Sequence, residues 1–125
     1  MISTSAITEA ITSFLPSSKL IYLFGSQANE TATSQSDVDL AILLPRKLDP
    51  VERFDLQEKL ARQFRQDVDL VDLLSASTVL QHQVVQSGKL LWGVEDDQAK
   101  FEMQVLSMYQ HLNEERSEIL KQYQS

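Results

Sequence analysis

The chain has no cysteine, only three glycines and three prolines among 125 residues, and 11 basic side chains against 18 acidic ones. Each shortage excludes something. Without cysteine there is no disulfide framework and no thiolate zinc site, which fits a reducing cytosol. The formal net charge of -7 opposes non-specific binding of a nucleic-acid backbone, which requires a basic surface to displace counterions. An acidic chain of this kind can handle a phosphate-bearing polyanion only if metal cations stand between the two. No stretch reaches the roughly 18 consecutive apolar residues of a membrane span. The start, MISTSAITEAITSFLPSSK, carries neither a basic n-region nor a sustained apolar run, so no signal peptide is expected. What remains is a length suited to one domain, 1–125, with 42% hydrophobic residues to build its core.

The few glycines and prolines punctuate the chain usefully. Residues 5–14 place Ile7, Ala10, Ile11 and Phe14 at helical spacing behind a Ser/Thr-rich entry, and Pro16 ends that helix. Leu20 to Phe24 is apolar without alternation and too short for a helix, hence a buried strand that stops at Gly25-Ser26. A polar loop follows, and a second strand runs from Asp37 to Leu44 before Pro45. From Pro50 to Arg65 the apolar positions return to helical spacing, with Asp49 as N-cap and proline at the first helical position. Asp67 to Leu73 alternates acidic and apolar residues as a third strand. Thr78–Gln86 reads as a short helix and Leu90–Trp92 as a fourth strand. About 96–123 contains no glycine or proline and reads as one long terminal helix. The class is α+β: a small mixed sheet of about four strands with helices packed on one face.

The chemistry concentrates in Gly25-Ser26 and Asp37-Val38-Asp39. In a strand, residues i and i+2 point to one face about 6.5–7 Å apart. Asp37 and Asp39 therefore project side by side, and two such charges repel unless a cation lies between them. Hard divalent ions such as Mg²⁺ accept carboxylate oxygens and complete their shell with phosphates and water. A glycine directly after a strand lets the backbone approach a phosphate, and the Ser26 hydroxyl adds a donor. A third carboxylate on a neighbouring strand would complete a two-metal site, with Asp67, Asp69 and Asp72 as candidates. Asp-x-Asp alone is commonly a solvated polar face, and Gly-Ser alone is ordinary turn chemistry. The joint pattern is far more specific than either part.

That pattern resembles the DNA polymerase β-like nucleotidyltransferase superfamily, and within it the minimal nucleotidyltransferase (MNT) antitoxins that partner HEPN-domain toxins. The resemblance spans about residues 19–73 by motif and continues to the end by size and helix placement. It implies the polymerase β palm-like fold and a Mg²⁺-dependent transfer of AMP from ATP, through two metal ions, with release of pyrophosphate. The implied acceptor is a tyrosine hydroxyl of a cognate HEPN ribonuclease, which the modification silences in the cytoplasm. Carried over by position, Asp37 and Asp39 are metal ligands, Gly25 and Ser26 hold the triphosphate, and Asp69 is the third carboxylate, ahead of Asp72 and Asp67. Many members carry arginine after the Gly-Ser; here the stretch is Gln27-Ala28-Asn29-Glu30, which removes one charge-assisted phosphate contact. The alternative reading is accordingly an antitoxin that blocks its toxin by binding alone. Transfer to a small molecule is disfavoured, because such enzymes need a further substrate domain.

Other residues carry blander expectations. His82 and His111 lack a second ligand at helical spacing and read as surface or capping groups. Trp92 at a strand end reads as core or rim packing rather than an adenine platform. Arg62 and Arg65 suit the negative end of their helix. On the terminal helix, Phe101 and Val105 read as core, while Ile119, Leu120 and Tyr123 outrun a domain of this size and are expected to face a partner.

Overall fold

The computed structural model describes residues 3–25 and 37–124. Eight elements follow in the order α1 (Thr4–Phe14), β1 (Leu20–Phe24), β2 (Val38–Leu43), α2 (Pro50–Phe64), β3 (Val68–Asp72), α3 (Thr78–Ser87), β4 (Lys89–Gly93) and α4 (Glu95–Gln124). They agree with the sequence expectation to within one or two residues at each end. The strands form one sheet in the order β3-β2-β1-β4. β1 runs antiparallel to both β2 and β4, whereas β2 and β3 are parallel and joined through α2. A parallel pair requires such a crossover, and an antiparallel pair does not. The sheet is therefore mixed.

The helices cover both faces, not one, and the reason is visible in β1. All five of its residues are buried, so even and odd positions alike need apolar cover. Ile21 and Leu23, with Val38, Leu40, Ile42, Val68 and Leu70, pack against Ile7 and Ile11 of α1 and Leu56 and Leu60 of α2. On the other side Leu20, Tyr22, Phe24, Ala41 and Leu43 meet Val84 of α3 and Phe101 and Val105 of α4. The Tyr22 ring is buried there, and its hydroxyl donates to Glu102 Oε2 at 2.7 Å, tying α4 to the sheet. Burial, reinforced by that acidic acceptor, pushes the Tyr22 hydroxyl above the usual phenol range.

Helix ends follow local chemistry. Ser3 Oγ accepts from Ala6 N–H at 3.0 Å and Ser77 Oγ from Leu80 N–H at 3.1 Å, each satisfying an amide of a first turn. Asp49 stands at the N-cap of α2 as expected, with Pro50 following, but its side chain makes no capping bond. The first turn of α4 holds Glu95, Asp96 and Asp97 at the positive end of the helix dipole. Its far end leaves the sheet: Phe101 and Val105 are buried, whereas Ile119, Leu120 and Tyr123 are 53%, 59% and 86% exposed. Among the described residues no helix is long and apolar enough to cross a membrane.

Candidate active site

The sheet register brings the sequence motifs to one end of the molecule. Phe24, the last residue of β1, lies opposite Asp39 of β2, and Asp39 in turn lies opposite Asp69 of β3. Strand parity sets their direction. Val38, Leu40, Val68 and Leu70 fill the core against α1 and α2, so Asp39 and Asp69 project from the opposite face, the one that α3 and α4 cover further along. Asp37, immediately before β2, shares that parity.

Gly25 follows at the bend with φ +73°, a left-handed conformation that side chains disfavour. A Cβ placed there would collide with the carboxylate of Asp39. The glycine is thus demanded twice, once by the backbone turn and once by the acidic group resting on it. Asp39 is half-buried at this point. Its pKa is raised above the ordinary 3.8, first by burial and then by the negative charges of Asp69 and Asp37. The three carboxylates therefore share one electrostatic field, with Asp39 at its centre and Asp37 and Asp69 exposed beside it. Among the described residues no three acidic or histidine side chains gather tightly enough to cage a metal ion by themselves.

The neighbouring candidates separate cleanly. Asp72 is 3% exposed and faces the other way. Its Oδ2 accepts from Leu48 N–H at 2.8 Å and Ser75 Oγ at 3.0 Å, and its Oδ1 from Leu74 N–H at 3.1 Å. It is a structural knot between the loop before α2 and the turn after β3. Asp67 is exposed just before β3, and its carbonyl accepts from Val38 N–H at 2.9 Å. Of the three, only Asp69 stands beside Asp39. Ser26 and the stretch 27–36 lie outside the described residues.

His82 stacks on Tyr109, ring centroids 3.6 Å apart and nearly parallel, joining α3 to α4. His111 pairs with Glu115 one turn on at 3.1 Å. Trp92 is partly exposed on β4 opposite Ile21. Arg62 Nε donates to Glu58 O at 3.4 Å, and Arg65 closes α2 in a left-handed conformation. His82 is thus an inter-helix packing group rather than the expected surface or capping one. What sequence reasoning passes over is Arg53 and Gln57 of α2, which bond to the backbone of β3. Polar residues on an amphipathic helix look like solvent-facing ones until the neighbouring strand is in place.

Comparison with known proteins gives the class, a nucleotidyltransferase. Residues 9–99 match the polymerase beta nucleotidyltransferase family, to which the chain belongs. More narrowly, it is a homologue of the protein adenylyltransferase MntA of Shewanella oneidensis, 50% identical over 106 residues that make up 85% of this chain and 76% of that one. A crystal structure of a toxin–antitoxin with AMP-PNP superposes at TM-score 0.90 and 44% identity, covering 99% of this chain and 100% of that one. The tri-AMPylated Shewanella oneidensis HEPN toxin in complex with MNT antitoxin gives TM-score 0.82 and 43% identity, over 98% and 96% of the two chains. The expected superfamily, fold class and antitoxin kinship are all borne out.

Proposed function

We propose that this chain is the antitoxin of a toxin–antitoxin pair and acts as a protein adenylyltransferase. It transfers AMP from ATP to a tyrosine hydroxyl of a HEPN ribonuclease toxin in the cytoplasm, releases pyrophosphate, and so neutralises the toxin. The domain that does this spans residues 1–125. The observation that carries the reading is the register of Asp39 with Asp69, with the Asp39 carboxylate lying against Gly25. The relatives supply the acceptor and the nucleotide: one is a protein adenylyltransferase, one is a complex with AMP-PNP, and one is an AMPylated toxin with its antitoxin.

The donor set suits Mg²⁺, which usually takes one or two carboxylates and completes its shell with water and substrate phosphates rather than with a protein cage. Asp37, Asp39 and Asp69 would hold it, and when bound it supplies charge neutralisation at the phosphates and activation of the attacking hydroxyl. The remaining work belongs to the chain. Gly25 brings backbone close to the triphosphate without a side chain in the way, and Ser26 offers a hydroxyl donor. Asp69, exposed and on an edge strand, would accept the tyrosine proton or orient that hydroxyl. The pKa of Asp39 is raised first by burial and then by the like charges of Asp69 and Asp37, and a divalent cation would offset that repulsion. The exposed end of α4, with Ile119, Leu120 and Tyr123, is the surface offered to the toxin.

Incubating the protein with α-labelled ATP, Mg²⁺ and purified toxin should label the toxin. The Asp37→Asn/Asp39→Asn double variant should not, and persistent labelling would reject the site. The same variant also addresses the binding-only reading, which the glutamine at position 27 in place of arginine favours. Continued protection of cells by the double variant would favour that reading.

A further inference from the structure

β3 is an edge strand of the sheet, paired among the described residues only with β2. Leu70, the residue after Asp69, turns its backbone N–H and C=O away from β2 toward the open edge. Both are captured by α2. Gln57 Oε1 accepts from Leu70 N–H at 2.9 Å, and Arg53 donates to Leu70 O at 3.0 Å and to Gln57 Oε1 at 3.2 Å. Three hydrogen bonds close a ring among these residues: the Leu70 amide donates to the Gln57 carboxamide oxygen, and the Arg53 guanidinium donates to that oxygen and to the Leu70 carbonyl. The Leu70 side chain is itself buried in the core beneath α2. At the far end of the same strand, the buried Asp72 binds the loop that leads into α2.

We propose that Gln57 and Arg53 are positioning residues for the transfer reaction: they clamp the backbone beside Asp69 and fix that carboxylate relative to Asp39. The inference rests on the reading of Asp69 as a metal-binding carboxylate. An edge strand in a parallel pair is held on one side only, so its free groups otherwise bond to water and the strand can shift or fray. A ligand carboxylate on such a strand samples positions too far from its partner to share an ion. Clamping the adjacent residue removes that freedom without any contact to the metal. Support of this indirect kind is expected to matter at the lower end of the roughly 10–100-fold effects that outer-shell partners have on metal affinity.

The test measures metal binding directly. Mn²⁺ binding to the full chain with AMP-PNP is followed by electron paramagnetic resonance, alongside the Mg²⁺ dependence of toxin labelling. Gln57→Leu removes the acceptor and is expected to weaken Mn²⁺ binding about tenfold. Its half-saturating Mg²⁺ concentration should rise to match, while the rate at saturating Mg²⁺ falls far less. Gln57→Glu keeps an oxygen for Leu70 N–H and should restore both to within about twofold of the original chain, a rescue that a general loss of stability would not give. Arg53→Met, which leaves the Leu70 amide bonded, provides the gentler variant should Gln57→Leu not fold, with an expected loss of about threefold. Wild-type affinity in folded Gln57→Leu or Arg53→Met would overturn the proposal while leaving the site intact. Failure of the unaltered chain to bind Mn²⁺ with AMP-PNP would instead overturn the site reading, and the clamp with it.

Discussion

Asp39 and Asp69 face each other across parallel strands, and the charge of Asp69 is the largest influence on Asp39 after burial. Without a cation this pairing opposes folding. Below the ordinary 3.8 the carboxyl is protonated in native and unfolded chains alike. As pH rises past that value the unfolded chain ionises first, so the native state binds the extra proton and its relative stability falls until the raised native pKa is passed. Asp39→Asn should therefore unfold at a higher temperature than the original chain at pH 7 in the absence of metal, and the gain should vanish near pH 3. Its transfer rate should fall by about 10³-fold or more, the several kcal/mol that a metal-held charge contributes. Thermal melts across pH and a labelling assay check the two halves.

Gly25→Ala should harm the protein in two ways. The left-handed backbone costs a side-chain-bearing residue about 1–2 kcal/mol, and the new methyl meets the Asp39 carboxylate. Urea titration should show that loss of stability. Labelling should fall by more than stability explains, because the carboxylate has to move.

Asp72 provides the opposite signature. Asp72→Ala strands Leu48 N–H, Leu74 N–H and the Ser75 hydroxyl and should cost about 3 kcal/mol or more. Asp72→Asn retains one oxygen and should lose about 1 kcal/mol, the Leu74 bond. At temperatures where it stays folded it should transfer AMP at close to the original rate, whereas Asp69→Asn should not. Denaturation curves set beside labelling rates distinguish a knot from a ligand.

Truncation after Asn113 removes Ile119, Leu120 and Tyr123, all more than half exposed. Little buried surface goes with them, so the melting temperature should change by no more than a few degrees. Affinity for the toxin should drop at least tenfold in a titration calorimeter. Unchanged affinity would place the docking surface elsewhere.

The elements were legible because their signals are local. β1 is announced by five apolar residues ahead of Gly25, α2 by Pro50, and α4 by the absence of any breaker after Gly93. The pairing of Asp39 with Asp69 was only partly legible. Parity separates Asp69 from Asp72, but the register that sets Asp69 rather than Asp67 opposite Asp39 depends on how α2 returns the chain to the sheet. The expectation of one covered face failed for a similar reason. A continuous apolar run reveals burial on both sides only when a second layer of helices is known to be available. Arg53 and Gln57 gave no signal at all, since the groups they satisfy belong to a strand distant in sequence.

The parallel pairing of β2 with β3 also governs how this enzyme comes into being. Hairpins assemble from neighbours, but this pair waits for a whole intervening helix to form and swing across, an entropically slow closure. During synthesis the glycine bend and the first acidic pair emerge early, yet they lack their third member until the crossover is complete. Asp69 therefore comes to stand beside Asp39 only when the finished architecture is in place.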